Sequence, residues 1–111
     1  ISNGPTYDFG TRATGSSTDA IFTITNSGGS TASAMAGGAL AAPYTFKGGA
    51  YPGTGGTCGT SLASAASCTV VVTFAPTVTG TLPATLTLDY NNGLAATSAT
   101  RGLTGVAVGP A

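Results

Sequence analysis

The sequence predicts an all-β, immunoglobulin-like β-sandwich of about seven strands with one disulfide. Three observations carry that expectation. Apolar and polar residues alternate with a period of two in several short runs, and no 3.6-residue stripe runs through the 111 residues. Clusters of Gly, Asn, Ser and Pro separate these runs, as expected of turns. Strong helix formers are nearly missing: there is no Glu and no Gln, and Lys47 and Met35 are single occurrences, while Thr, Ser and 18 Gly supply polarity and bends.

From the N-terminus, "PTYDFG" alternates Tyr7 and Phe9 with Thr6 and Asp8. "DAIFTIT" places Ala20, Phe22 and Ile24 on one face and Ile21, Thr23 and Thr25 on the other, and it stops at Asn26-Ser27-Gly28-Gly29. A weak strand of small residues is expected in "TASAMAG"; the alanines downstream invite a helix, but Gly37-Gly38 argues against one. "PYTF" is a short strand with Tyr44 and Phe46, and the glycine-rich "GGAYPGTGGTCGTSLASAAS" reads as loop. The clearest strand is "SCTVVVTF", with Cys68, Val70, Val72 and Phe74 facing inward and Thr69, Val71 and Thr73 outward. In "TLPATLTLDY", Leu82, Ala84, Leu86, Leu88 and Tyr90 face inward, and Pro83 suggests an edge strand or a bulge. Asn91-Asn92-Gly93 is a hairpin turn. "TSATRGLTGVAV" is the closing strand, with Gly105 read as a bulge. Residues 1–111 are expected to form one domain, a module of a longer extracellular protein.

The two cysteines, Cys58 and Cys68, have nine residues between them. A thioredoxin-like motif needs two, and a zinc site needs more ligands than a chain with no His and no third Cys can supply. A disulfide or two buried thiols remain. The even count, the small domain and the pliant "GTSLASAAS" between them favour the disulfide, hence an oxidising compartment. Closing a loop of about eleven residues is worth about 3 kcal/mol in the chain-entropy model.

Catalysis has little to work with. Without His or Glu, no Ser-His or Cys-His nucleophile exists within the chain, and the acids are Asp8, Asp19 and Asp89, far apart in sequence and placed at turns and strand ends. No cofactor and no metal site is expected. Asp89-Tyr90-Asn91-Asn92 is too thin for calcium and reads as a plain turn. An isopeptide bond from Lys47 to Asp8 or Asp89 is conceivable in a surface sandwich, but an exposed lysine at a strand end is the ordinary reading. A formal net charge of zero gives no field to steer nucleic acid, and no run is long enough to insert in a membrane as a helix. It also eases self-contact, so oligomerisation stays open. The candidate ligand-binding residues are Tyr44, Lys47 and Tyr51, in and beside the 47–57 loop, where aromatic faces would suit a glycan or a surface protein; the competing reading points Tyr44 and Phe46 into the sandwich.

The run "TCGTSLASAASCTVVVTFAPTVTGTLPATLTL", with "YDFGTRATGSSTDAIFTITNSGGS" upstream and "RGLTGVAV" downstream, resembles bacterial repeat domains of the choice-of-anchor D type. These are relatives of the ASPM–SPD-2–Hydin (ASH) immunoglobulin-like modules. The resemblance covers nearly the whole chain and departs at the insert "FKGGAYPGTGG". It implies a non-catalytic module, often in tandem, of a secreted, periplasmic or surface-anchored bacterial protein. Its partners would be neighbouring modules, and its role spacing, stalk-building or adhesion. An adhesive tip that binds a glycan or protein through the 47–57 loop is the alternative.

Overall fold

The computed structural model describes residues 6–38, 40 and 42–109. Eight strands run in the order β1 Thr6–Ala13, β2 Thr18–Thr25, β3 Ser33–Gly37, β4 Tyr44–Phe46, β5 Ser67–Phe74, β6 Gly80–Thr81, β7 Ala84–Asn91 and β8 Ala96–Val108. One 3-10 turn, Lys47–Gly49, follows β4. The strands form two sheets. The larger has the order β1-β8-β7-β3, with β6 also on β8; the smaller is β2-β5-β4. The sandwich expected from the alternation is therefore present, and "TASAMAG" forms a strand rather than a helix.

The core sits where the inward positions meet. Along β2, Ala20, Phe22 and Ile24 are buried while their neighbours are exposed. Along β5, Cys68, Val70, Val72 and Phe74 are buried. The sheets are joined by aromatic rings. Phe74 stacks on Tyr44 at 5.0 Å, and Phe9 from the opposite sheet lies 5.4 Å from Tyr44 and 5.6 Å from Phe74. Tyr7 and Phe22 make a second, edge-on bridge at 5.4 Å. Such pairs add ~0.5–1.5 kcal/mol each beyond the area they bury.

Two local expectations are corrected. "TLPATLTLDY" is not one edge strand: Leu82-Pro83 splits it into β6 and β7, because proline cannot donate to a ladder. Both pieces pair with β8, and β3 lies on the other side of β7 along Leu88–Asn91, so that end of β7 is interior. The bulge is not at Gly105. Asp8 faces Thr104 and Thr11 faces Val106, so Phe9 and Gly10 of β1 stand opposite the single Gly105 of β8. Gly10 takes the positive φ of 80° that this bulge requires. Gly105 is needed for a different reason: a Cβ there would lie 2.8 Å from the Phe74 ring. The Asn91–Gly93 turn is as expected and closes the β7–β8 hairpin, with Asn92 N donating to Ala95 O at 3.1 Å.

Direction along the chain matters for function. β1 and β8 are parallel neighbours, and Ala13 lies level with Val108. Both strands thus run toward the same pole, where Thr14 N donates to Val108 O at 2.9 Å. The β7–β8 hairpin tip and the 26–30 loop occupy the other pole. The molecule measures 51 × 23 × 19 Å.

Candidate functional site

The segment after β4 is built against β5 rather than hanging free. β4 ends at Phe46, and from there the chain continues along the same edge of β5. Val71 N donates to Pro52 O at 2.9 Å, and Thr57 N and Cys58 N both donate to Thr69 O at 3.0 Å. Thr57 Oγ1 accepts from Thr69 N at 2.8 Å. The loop thereby satisfies backbone groups that a three-residue β4 leaves open. It also explains why Val71, on the outward face of β5 as expected, is only 5% exposed.

The staple is in place. Cys58 and Cys68 form a disulfide with Cα atoms 4.8 Å apart, and both residues are buried. It ties this loop to the second residue of β5.

The three candidate ligand residues do not form a shared surface. Tyr44 is a correction: it is 0% exposed, its ring lies in the aromatic core, and its hydroxyl donates to Leu82 O at 2.7 Å. The period-2 pattern of "YTF" puts residue 44 inward, so it offers no face to a ligand. Lys47 is exposed and pairs with Asp19 across β5, Nζ to Oδ2 at 2.8 Å. Asp19 also accepts from Thr73 Oγ1 at 2.6 Å. The Lys47 ammonium, helped by the Thr73 hydroxyl, holds the Asp19 carboxyl below its usual range. Lys47 meets Asp19, not Asp8 or Asp89, and the contact is an exposed ion pair rather than the buried setting an isopeptide needs. Tyr51 is half-buried: its ring packs edge-on against Phe46 at 5.8 Å and its hydroxyl donates to Gly59 O at 2.9 Å. Burial pushes the Tyr51 hydroxyl pKa up.

Burial pushes Tyr44 up to about 12, with the Asp8 charge a lesser cause. The unfolded value is near 10. The folded state therefore keeps the proton that the unfolded state loses, and Tyr44 stabilises the fold fully below pH about 10 and progressively less up to about 12. Urea titrations across this range are expected to show falling stability for the native chain and a flatter alkaline limb for Tyr44→Phe. Lys47→Ala, by contrast, is expected to cost no more than about 0.5 kcal/mol in the same titration at neutral pH, because a screened surface pair contributes little.

The remaining acids serve local structure. Asp8 Oδ1 accepts from Gly10 N at 2.7 Å across the bulge, and Asp89 Oδ1 accepts from Ser98 Oγ at 2.7 Å. The side-chain oxygens of Asn91 and Asn92 accept turn N–H groups, as the plain-turn reading requires. Among the described residues no group of three His, Cys, Asp or Glu converges.

Sequence reasoning missed a cleft at the hairpin pole. It has a volume of about 350 Å³ between the 26–30 loop and β7–β8, with Met35, Leu88 and Tyr90 in its wall. It contains no charged side chain. The signal was Ala99, a small residue opposite Leu88 in the ladder, where a larger side chain would have filled the gap.

Fold and site together define an immunoglobulin-like sandwich module stapled by one disulfide. The chain belongs to the HYDIN/CFA65/VesB-like Ig-like domain family, whose pattern matches residues 3–104. Among solved structures it is similar to the Vibrio cholerae VesB protease, at TM-score 0.72 and 18% identity, covering 91% of this chain and 30% of that one. It is also similar to the ASH/PapD-like domain of human CEP192 (PapD-like domain 7), at TM-score 0.66 and 17% identity over 96% of this chain and 83% of that one. The secreted serine protease VesC from Vibrio cholerae matches at TM-score 0.60 and 20% identity, over 90% of this chain and 21% of that one. This chain thus spans less than a third of either protease. A search of the curated proteins found no match.

Proposed function

We propose that this chain is a non-catalytic spacer or display module of a larger, secreted or surface-anchored bacterial protein, of the choice-of-anchor D type. The carrying observation is the path of the backbone. β8 alone spans 13 residues, or roughly 44 Å at a normal strand rise, and β1 runs parallel to it toward the same pole. Thr6 lies level with Gly102 and β8 runs on to Val108, so from the start of β1 to the end of β8 the chain advances by six residues of rise, or roughly 20 Å, toward one pole. The buried disulfide supports an oxidising, extracellular location. The similarity to two Vibrio proteases, one described as secreted, supports an accessory place in a chain whose chemistry lies elsewhere. Residues 1–111 would then be one module, with neighbouring modules as its partners.

A glycan-binding tip at the 47–57 loop is the weaker reading, since Tyr44 is in the core and the Tyr51 ring and hydroxyl are both engaged. Two measurements test the proposal. Small-angle scattering of the parent protein with and without the module should show its longest dimension change by roughly 20 Å, the advance from Thr6 to Val108. Glycan arrays should give no signal, and a signal that Tyr51→Ala abolishes would overturn the spacer in favour of the tip.

A further inference from the structure

We propose that the β7–β8 turn is a self-modification site at which Asn92 converts to aspartate and isoaspartate through a cyclic imide. The reaction is an acyl transfer within the backbone. Gly93 N attacks the Asn92 side-chain carbon Cγ, and the new N–Cγ bond forms as Cγ–Nδ2 breaks. Ammonia leaves with the proton that Gly93 N gives up. Water then opens the imide at either carbonyl.

The turn supplies the parts this chemistry needs. The electrophile is polarised: Asn92 Oδ1 accepts from Leu94 N at 2.9 Å and from Ala95 N at 3.0 Å. Two N–H donors at this range, aimed at the oxygen where negative charge develops, are how acyl-transfer sites stabilise the tetrahedral state. The nucleophilic amide is held in the turn by its N–H donating to Asn91 Oδ1 at 2.8 Å. The residue after the asparagine has no side chain to block approach, and residues 92–95 are all exposed, so water reaches the imide.

Asn26 provides the internal contrast. There the carboxamide nitrogen, which is the leaving group, donates to Ser30 O at 2.8 Å and to Leu62 O at 2.9 Å. Expelling ammonia from Asn26 breaks both bonds, and the next residue, Ser27, carries a side chain. Of these two described asparagines, conversion is therefore expected at Asn92 and not at Asn26. The product places a carboxylate on the rim of the uncharged cleft, in a chain whose formal net charge is zero.

The test monitors the 111-residue chain at mildly alkaline pH by mass mapping of two tryptic peptides, Gly48–Arg101 for Asn92 and Ala13–Lys47 for Asn26, so that conversion at the Asn3-Gly4 pair is counted separately. The reference is the same chain unfolded in urea. Conversion at Asn92 is expected to be at least about fivefold faster folded than unfolded, the rate equivalent of one ordinary hydrogen bond. Asn91→Ala, checked for an unchanged melting profile, should slow the folded rate toward the unfolded one. A folded rate equal to or below the unfolded rate overturns the proposal, as does conversion at Asn26 that keeps pace with Asn92. The comparison of folded with unfolded native chain decides the matter even if Asn91→Ala does not fold.

Discussion

Replacing Cys58 and Cys68 together by alanine is expected to lower stability by about 3 kcal/mol, the chain-entropy value for a loop of this length. The cysteines are ten positions apart, and the bond joins the loop to β5 at a buried site. Without it, the unfolded chain gains freedom. The folded chain must also hold the 47–58 loop against the edge of β5 by hydrogen bonds alone. For a domain near 100 residues, each kcal/mol shifts the melting midpoint by about 4–8 °C, so the drop should be roughly 12–24 °C. Thermal scans and urea titrations of the oxidised native chain and the double variant measure it. A fall of under about 1 kcal/mol would show that the hydrogen bonds at Pro52, Thr57 and Cys58 suffice and that the entropic account fails here.

Phe74→Ala is expected to be at least as severe, at ~3–5 kcal/mol, the usual range for deleting a fully buried aromatic ring. Phe74 is 0% exposed and touches both halves of the sandwich through Tyr44 and Phe9. Its ring also lies against Gly105, so the cavity left behind borders backbone that cannot fill it. Partial collapse would bring the low end of the range, and urea titration gives the value. Gly105→Ala probes the same contact from the opposite direction, by crowding instead of emptying it.

Several features arise from short-range physics and were readable in the chain. Period-2 alternation depends only on strand geometry, so the buried faces of β2, β5 and β7 could be named residue by residue. The Asn91–Gly93 turn depends on local backbone preference. The cysteine pair depends on counting ligands. Tyr44 had two readings: an aromatic residue beside a glycine-rich loop invites a surface role, while the alternation that buries Phe46 also buries Tyr44, and the fold takes the second.

The rest depends on what lies opposite, and sequence order carries no such information. Pro83 signalled an interruption, but only the pairing of β3 with Leu88–Asn91 made that end of β7 interior. Gly105 signalled an irregularity, but only the register with β1 placed the bulge at Phe9–Gly10. Lys47 found Asp19 because β2, β5 and β4 lie side by side, which joins residues 28 positions apart. The loop became an edge cover because β4 is too short to pair with all of β5. By itself, then, the sequence determined the class of fold, the inward faces and the staple, since these arise from neighbours along the chain. Tertiary structure decided which strands are edges, whether the loop is free or bound, and where a cleft remains, since each is a matter of contacts between segments far apart in the chain.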